Sequence, residues 1–172
     1  MTASLRLSLV LAASLWLSAC GFHLRGQGPD ARHLPFSSVA LEVNGRAIAP
    51  ILQRELSHRA DVQVVSDPKA AEAVLTIIDE SNARDILTLN RTGKISEYQL
   101  VYRVTARVTR QGRAFGEPVT VFVRRDFPYS DSSVLGKEQE EQLVWSAMRE
   151  EAVTLLMYRL SALKPSVVVP AQ

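Results

Sequence analysis

The sequence predicts an α+β domain: a two-layer sandwich with a mostly antiparallel sheet of four to five strands and two helices on one face. Three observations point there. Tyr98, Leu100, Tyr102, Val104, Ala106 and Val108 alternate with largely polar neighbours across 97–109, the period of a strand with one buried face. Residues 137–163 contain no Gly or Pro and carry an apolar stripe, as a long amphipathic helix does. Successive long strand candidates are joined by short turns, so they pair antiparallel.

The elements follow in order. Residues 39–43 are a short apolar strand ended by Asn44-Gly45. A helix is expected over 48–59, with Ile48, Leu52 and Leu56 on one face, Ile51 beside them and Pro50 tolerated in the first turn. Residues 62–65 form another short strand, stopped by Asp67-Pro68. Residues 73–79 are apolar enough to lie centrally in a sheet; a polar stretch, 80–84, separates them from Ile86-Leu87-Thr88-Leu89. Residues 90–94 read as a hairpin tip with Gly93 free to take positive φ. After 97–109, Gln111-Gly112 turns the chain, and 119–127 returns as the partner strand. Ser132 and Ser133 suit capping of the long helix over 137–163. Its stripe is Trp145, Met148, Ala152, Leu155, Leu156, Leu160 and Leu163. Glu138, Glu140 and Glu141 make its first turn acidic, Arg159 and Lys164 make its end basic, and Pro165 stops it.

Composition narrows the function. The 172 residues carry 20 Lys+Arg against 18 Asp+Glu, 22% charged in all, so no basic stripe suits nucleic acid and the chain is not compositionally disordered. One cysteine excludes an internal disulfide framework and a multi-Cys zinc site. That cysteine ends an N-terminal segment in which 14 of the first 20 residues are apolar, with Arg6 ahead of the apolar run. Charge, short apolar core and small-residue end are the parts of a secretory signal, and the run is short of the roughly 20 residues that span a bilayer. Leu17-Ser18-Ala19-Cys20 resembles the bacterial lipobox, which implies cleavage before Cys20 and N-palmitoyl, S-diacylglycerol modification of it. Gly21, in place of Asp, favours outer-membrane sorting by the same analogy. The organisation expected is a signal peptide over 1–19, a lipid-anchored tether over 20–37, one α+β domain over 38–164 and a loose tail over 165–172.

Catalytic and metal chemistry find little support. His23, His33 and His58 have no second ligand at metal spacing, and neither a nucleophile elbow nor a phosphate loop is present. No cofactor is expected. Two basic features remain. Arg91 and Lys94 occupy the hairpin tip, and Lys137 opens the long helix, where the dipole prefers acids. Each alone reads as a solvated charge; together they would make an anion-binding end of the sandwich.

Three motifs carry a family resemblance. Cys20-Gly21-Phe22-His23-Leu24-Arg25 resembles the start of mature LptE (RlpB) lipoproteins. Ser96-Glu97-Tyr98-Gln99-Leu100 follows the basic hairpin, and Val121-Phe122-Val123-Arg124-Arg125-Asp126-Phe127 precedes Leu135-Gly136-Lys137-Glu138-Gln139-Glu140, in the family's order over about residues 20–163. The resemblance implies a non-enzymatic lipopolysaccharide-assembly lipoprotein of the outer membrane. It would plug the lumen of an LptD-type β-barrel, assist that barrel's assembly and bind lipopolysaccharide. The family's lipopolysaccharide-contacting basic positions fall on Arg91 and Lys137; Lys94 joins them from the hairpin geometry. A generic outer-membrane lipoprotein holding peptidoglycan or another envelope protein would keep Cys20 and the fold without needing Arg91 and Lys137. A periplasmic hydrolase would instead turn over an envelope substrate.

Overall fold

A computed structural model describes residues 33–43, 46–130 and 134–165. Their elements run β1 (Ser38–Glu42), α1 (Ala49–Ser57), β2 (Gln63–Val64), β3 (Ala73–Leu89), β4 (Ile95–Arg110), β5 (Arg113–Ala114), β6 (Val119–Pro128) and α2 (Val134–Leu160). The sheet order is β2-β1-β3-β4, with β5 and β6 both pairing along the far edge of β4. β3 pairs antiparallel with β4, and β4 with β6, while β1 runs parallel to both β2 and β3. The expected α+β class is the observed one. The sheet numbers six strands because β2 and β5 add two-residue ladders at its margins.

The alternation in β4 does what its period dictates. Leu100, Tyr102, Val104, Ala106 and Val108 are buried, with Ala73, Leu75 and Ile77 of β3 and Val119, Val121 and Val123 of β6 beside them. Ile48, Leu52 and Leu56 from α1 and Met148, Ala152, Leu156 and Leu160 from α2 complete one core. Arg54 of α1 reaches Glu150 of α2 at 3.3 Å, so the helices lie side by side over the same face. Gln111 and Gly112 both take positive φ, as a type I′ hairpin turn requires. Gly116 has φ +76, and a Cβ there would meet Leu163 Cδ2 at 2.7 Å and the Lys164 carbonyl at 3.1 Å. Gly116→Ala is therefore expected to cost about 2 kcal/mol of stability, read as a lowered urea midpoint at unchanged m-value.

Four features differ from the sequence expectation. First, β3 does not break at residues 80–84. Glu80 to Ile86 pair with Val104 to Tyr98 in one antiparallel ladder, so backbone bonds carry the strand through a polar stretch that hydrophobicity alone leaves open. A bulge after Ile77 brings Glu80, Asn82 and Arg84 opposite Val104, Tyr102 and Leu100, on the helix-bearing side. Second, α2 starts at Val134, so its first turn holds Lys137 and no acid; Glu138, Glu140 and Glu141 fall in the next. Third, Leu155 is exposed, while Val153 and Met157 are buried. At 100° per residue Leu155 lies roughly a quarter turn off the stripe's centre line. Fourth, Leu34 and Phe36 are buried in the core, so packing begins before the expected boundary at residue 38. Cys20, Asn44-Gly45, Ser132, Ser133 and the tail beyond residue 165 lie outside the described residues.

Two carboxylates hold that entry segment. The guanidinium of Arg59 donates to both oxygens of Asp61, at 2.8 and 2.7 Å, and the Leu34 amide donates to Asp61 at 3.1 Å. These bonds, Arg59's foremost, hold the Asp61 carboxyl down at about 2. Glu72 is held below its ordinary range by the Ser37 amide first, then the Ser37 hydroxyl and Arg110. A folded pKa below the unfolded value stabilises above the unfolded pKa and is lost as pH falls through the folded one. Unfolding free energy should thus be flat near neutrality and fall between about pH 4.5 and 2, with Asp61 contributing on the order of 1 kcal/mol after screening. Asp61→Asn should flatten that acid limb in urea titrations; an unchanged limb contradicts the assignment.

Candidate functional site

The β3–β4 tip is shaped by one side chain. Asn90 Oδ1 accepts from the Thr92 amide (2.9 Å), the Thr92 hydroxyl (2.7 Å) and the Lys94 amide (3.0 Å). The Asn90 amide donates to the Lys94 carbonyl at 2.7 Å, and the Gly93 amide to the Asn90 carbonyl at 3.0 Å. Gly93 has φ +79 with nothing within 4 Å of a built Cβ, so it is there for its backbone and not for space. Gly93→Ala is expected to cost about 1 kcal/mol and to leave the core unchanged, seen as a small Tm loss with unaltered near-UV dichroism. This turn carries Arg91 and Lys94, both exposed, at the end of the sheet.

Lys137 does not join them on the tip. It stands in the first turn of α2, 5.2 Å above the buried Phe127 ring, with Glu140 at 2.7 Å. Phe127 pairs with Tyr98, four residues along β4 from Lys94, which is about 13 Å of strand. The basic end is therefore two stations: a pair of cations on the turn and a third, partly screened by Glu140, on its flank.

Further down the hairpin, level with Tyr98 and Leu100, lies a cluster that the sequence does not announce. Arg84 stacks over the Tyr98 ring at 4.7 Å and reaches Glu141 at 2.9 Å. Glu141 also accepts from the Trp145 indole at 3.0 Å, and Tyr129 meets Tyr98 edge-on at 5.2 Å. Arg84 falls in the stretch that reads as a polar break, and only the β3–β4 register shows that it faces α2. The cluster ties the hairpin to α2 and makes a stiff base for the tip.

The arrangement can hold anions through guanidinium and ammonium groups. Among the described residues no three His, Cys, Asp or Glu side chains gather for a metal, and no helix is long and apolar enough to cross a membrane.

Comparison with known proteins agrees in extent and in fold. Residues 36–160 match the LptE family, described as lipopolysaccharide-assembly. The chain is 30% identical to the LPS-assembly lipoprotein LptE of Pectobacterium atrosepticum, covering 92% of this chain and 86% of that one. It is 31% identical to LptE of Yersinia enterocolitica, covering 96% and 80%. The solution structure of lipoprotein B from Nitrosomonas europaea superposes with a TM-score of 0.69 at 30% identity, covering 83% of this chain and 91% of that one. The crystal structure of rare lipoprotein B from Shewanella oneidensis gives 0.64 at 25%, covering 73% and 95%. The match takes in every described strand and helix, and the chain belongs to the LptE family of lipopolysaccharide-assembly proteins.

Proposed function

We propose that this chain is an outer-membrane lipoprotein of lipopolysaccharide assembly, tethered through lipidated Cys20 and acting by binding, not by covalent chemistry. In this reading it forms a plug-and-barrel complex with an LptD-type β-barrel, lies on the periplasmic side and in the barrel lumen, and assists the barrel's assembly. Arg91 and Lys94 would meet lipid A phosphates at the tip, and Lys137 would meet the same ligand further back. The observation that carries the reading is the family match across the packed domain, joined to a rigid turn that presents two cations. Charge-assisted bonds to phosphate need no nucleophile and no metal, only donors fixed in place.

The test is co-purification. Tagged protein extracted from Gram-negative envelopes should bring down an LptD-type barrel in a detergent-resistant complex. Recovery alone, or with cell-wall fragments, would favour a generic envelope lipoprotein and sink the barrel reading. Changing Cys20 to Ala should release the chain from the membrane fraction; continued membrane retention without the barrel would contradict the anchor.

A further inference from the structure

We infer that the flank of the β3–β4 tip is an acyl-chain contact, so that the hairpin holds a phosphorylated lipid by both of its chemistries. The inference rests on the reading of Arg91 and Lys94 as phosphate contacts and goes beyond it. From Ile86 to Ile95 the chain has four large aliphatic residues (Ile86, Leu87, Leu89, Ile95), two cations and no carboxylate. Ile86, Leu87 and Leu89 are 59%, 42% and 58% exposed, so three of the eight exposed large hydrophobics among the described residues fall within four positions.

Folding does not account for them. β1 pairs with β3 only as far as Thr76, and the core reaches no further along the hairpin than Phe127 and Tyr98, so Leu87 and Leu89 lie beyond it and Ile86, opposite Tyr98, stands at its margin. Turns and strand ends of this kind are ordinarily polar, and a grouped aliphatic exposure marks a contact made elsewhere. Aliphatic side chains next to Lys and Arg are complementary to an anionic amphiphile; of the two carboxylates that border the segment, Asp85 and Glu97, the second is engaged by the Thr88 hydroxyl at 2.9 Å. The ring station below (Tyr98, Tyr129 and Arg84) holds the hairpin to α2 and keeps the flank presented.

The experiment compares the full chain with Ile86→Ser/Leu89→Ser in non-ionic detergent at low salt, binding lipopolysaccharide, its fully deacylated phosphorylated saccharide, and phosphatidylglycerol in the same micelles. The wild type should bind the acylated form at least about tenfold more tightly than the deacylated one, and the double variant should lose that difference while binding the saccharide unchanged. If the variant keeps the preference, or the wild type shows none, the acyl contact is wrong while the phosphate reading stands. If the wild type binds neither form, the phosphate reading falls and the inference with it. If the variant loses phosphatidylglycerol to the same degree, the flank is a general anionic-lipid surface and the specific contact is overturned. Because Ile86 and Leu89 are both more than half exposed, the double variant should stay folded and lose no more than the strand propensity of the two side chains, about 1 kcal/mol. A fluorophore on Leu89→Cys gives an independent readout, blue-shifting with acylated ligand only.

Discussion

Reversing charge at Arg91 and Lys137 together is expected to weaken lipopolysaccharide binding by about 100-fold at low salt, since each charge-assisted bond to phosphate contributes roughly 1.5–3 kcal/mol. Barrel association should be unchanged. The two sites should not contribute equally. Arg91 is exposed on a turn that Asn90 holds, so Arg91→Asp changes charge and little else. Lys137 already has Glu140 at 2.7 Å and a ring beneath it, so it has less free charge to offer. Lys137→Asp also places a second carboxylate beside Glu140, at a cost of a few tenths of a kcal/mol in the helix. Single variants should rank Arg91→Asp above Lys137→Asp. The deficit should shrink as salt is raised, because exposed charges are screened beyond a Debye length of about 8–10 Å. Binding that is insensitive to both substitutions at low salt would mean that the ligand meets another surface.

Glu80→Ala is expected to cost about 3 kcal/mol of stability. One carboxylate oxygen serves two donors: the hydroxyl of buried Tyr102 at 2.6 Å and the Ile48 amide at the start of α1 at 3.1 Å. No side chain of α1 caps its own N-terminus, so Glu80 does this from β3. Burial, and then the Glu80 carboxylate, push the Tyr102 phenol above its ordinary pKa, which keeps it a donor throughout the physiological range. Tyr102→Phe removes the hydroxyl with its need, so in that background Glu80→Ala should cost only about half as much. A double-mutant cycle by urea unfolding measures this; strict additivity would show that the two groups do not depend on each other.

What could be read from the sequence was whatever has a local period. β4 shows its buried face every second residue, and α1 shows Ile48, Leu52 and Leu56 one turn apart. The Asn90–Lys94 turn is visible as Asn, Gly and polar residues between two apolar runs. Pairing register has no such local mark. The stretch 80–84 reads as an interruption because the partners of Glu80 and Arg84 lie on other elements: Tyr102, Ile48, Tyr98 and Glu141. The bulge that turns these residues towards the helices comes from one extra residue, Ile78, which composition does not distinguish from its neighbours. The site was legible to the same degree. Arg91 and Lys94 follow from a turn, whereas the position of Lys137 over Phe127 depends on how α2 crosses β6.

The most direct measurement places a photo-reactive amino acid at position 91 in cells and asks what it captures. The control carries the same group at Gln53, an exposed position on α1. Irradiation should give a lipopolysaccharide adduct from position 91 and none from position 53. Equal adducts from both, or none from position 91 in cells that assemble lipopolysaccharide, would contradict the tip as its contact.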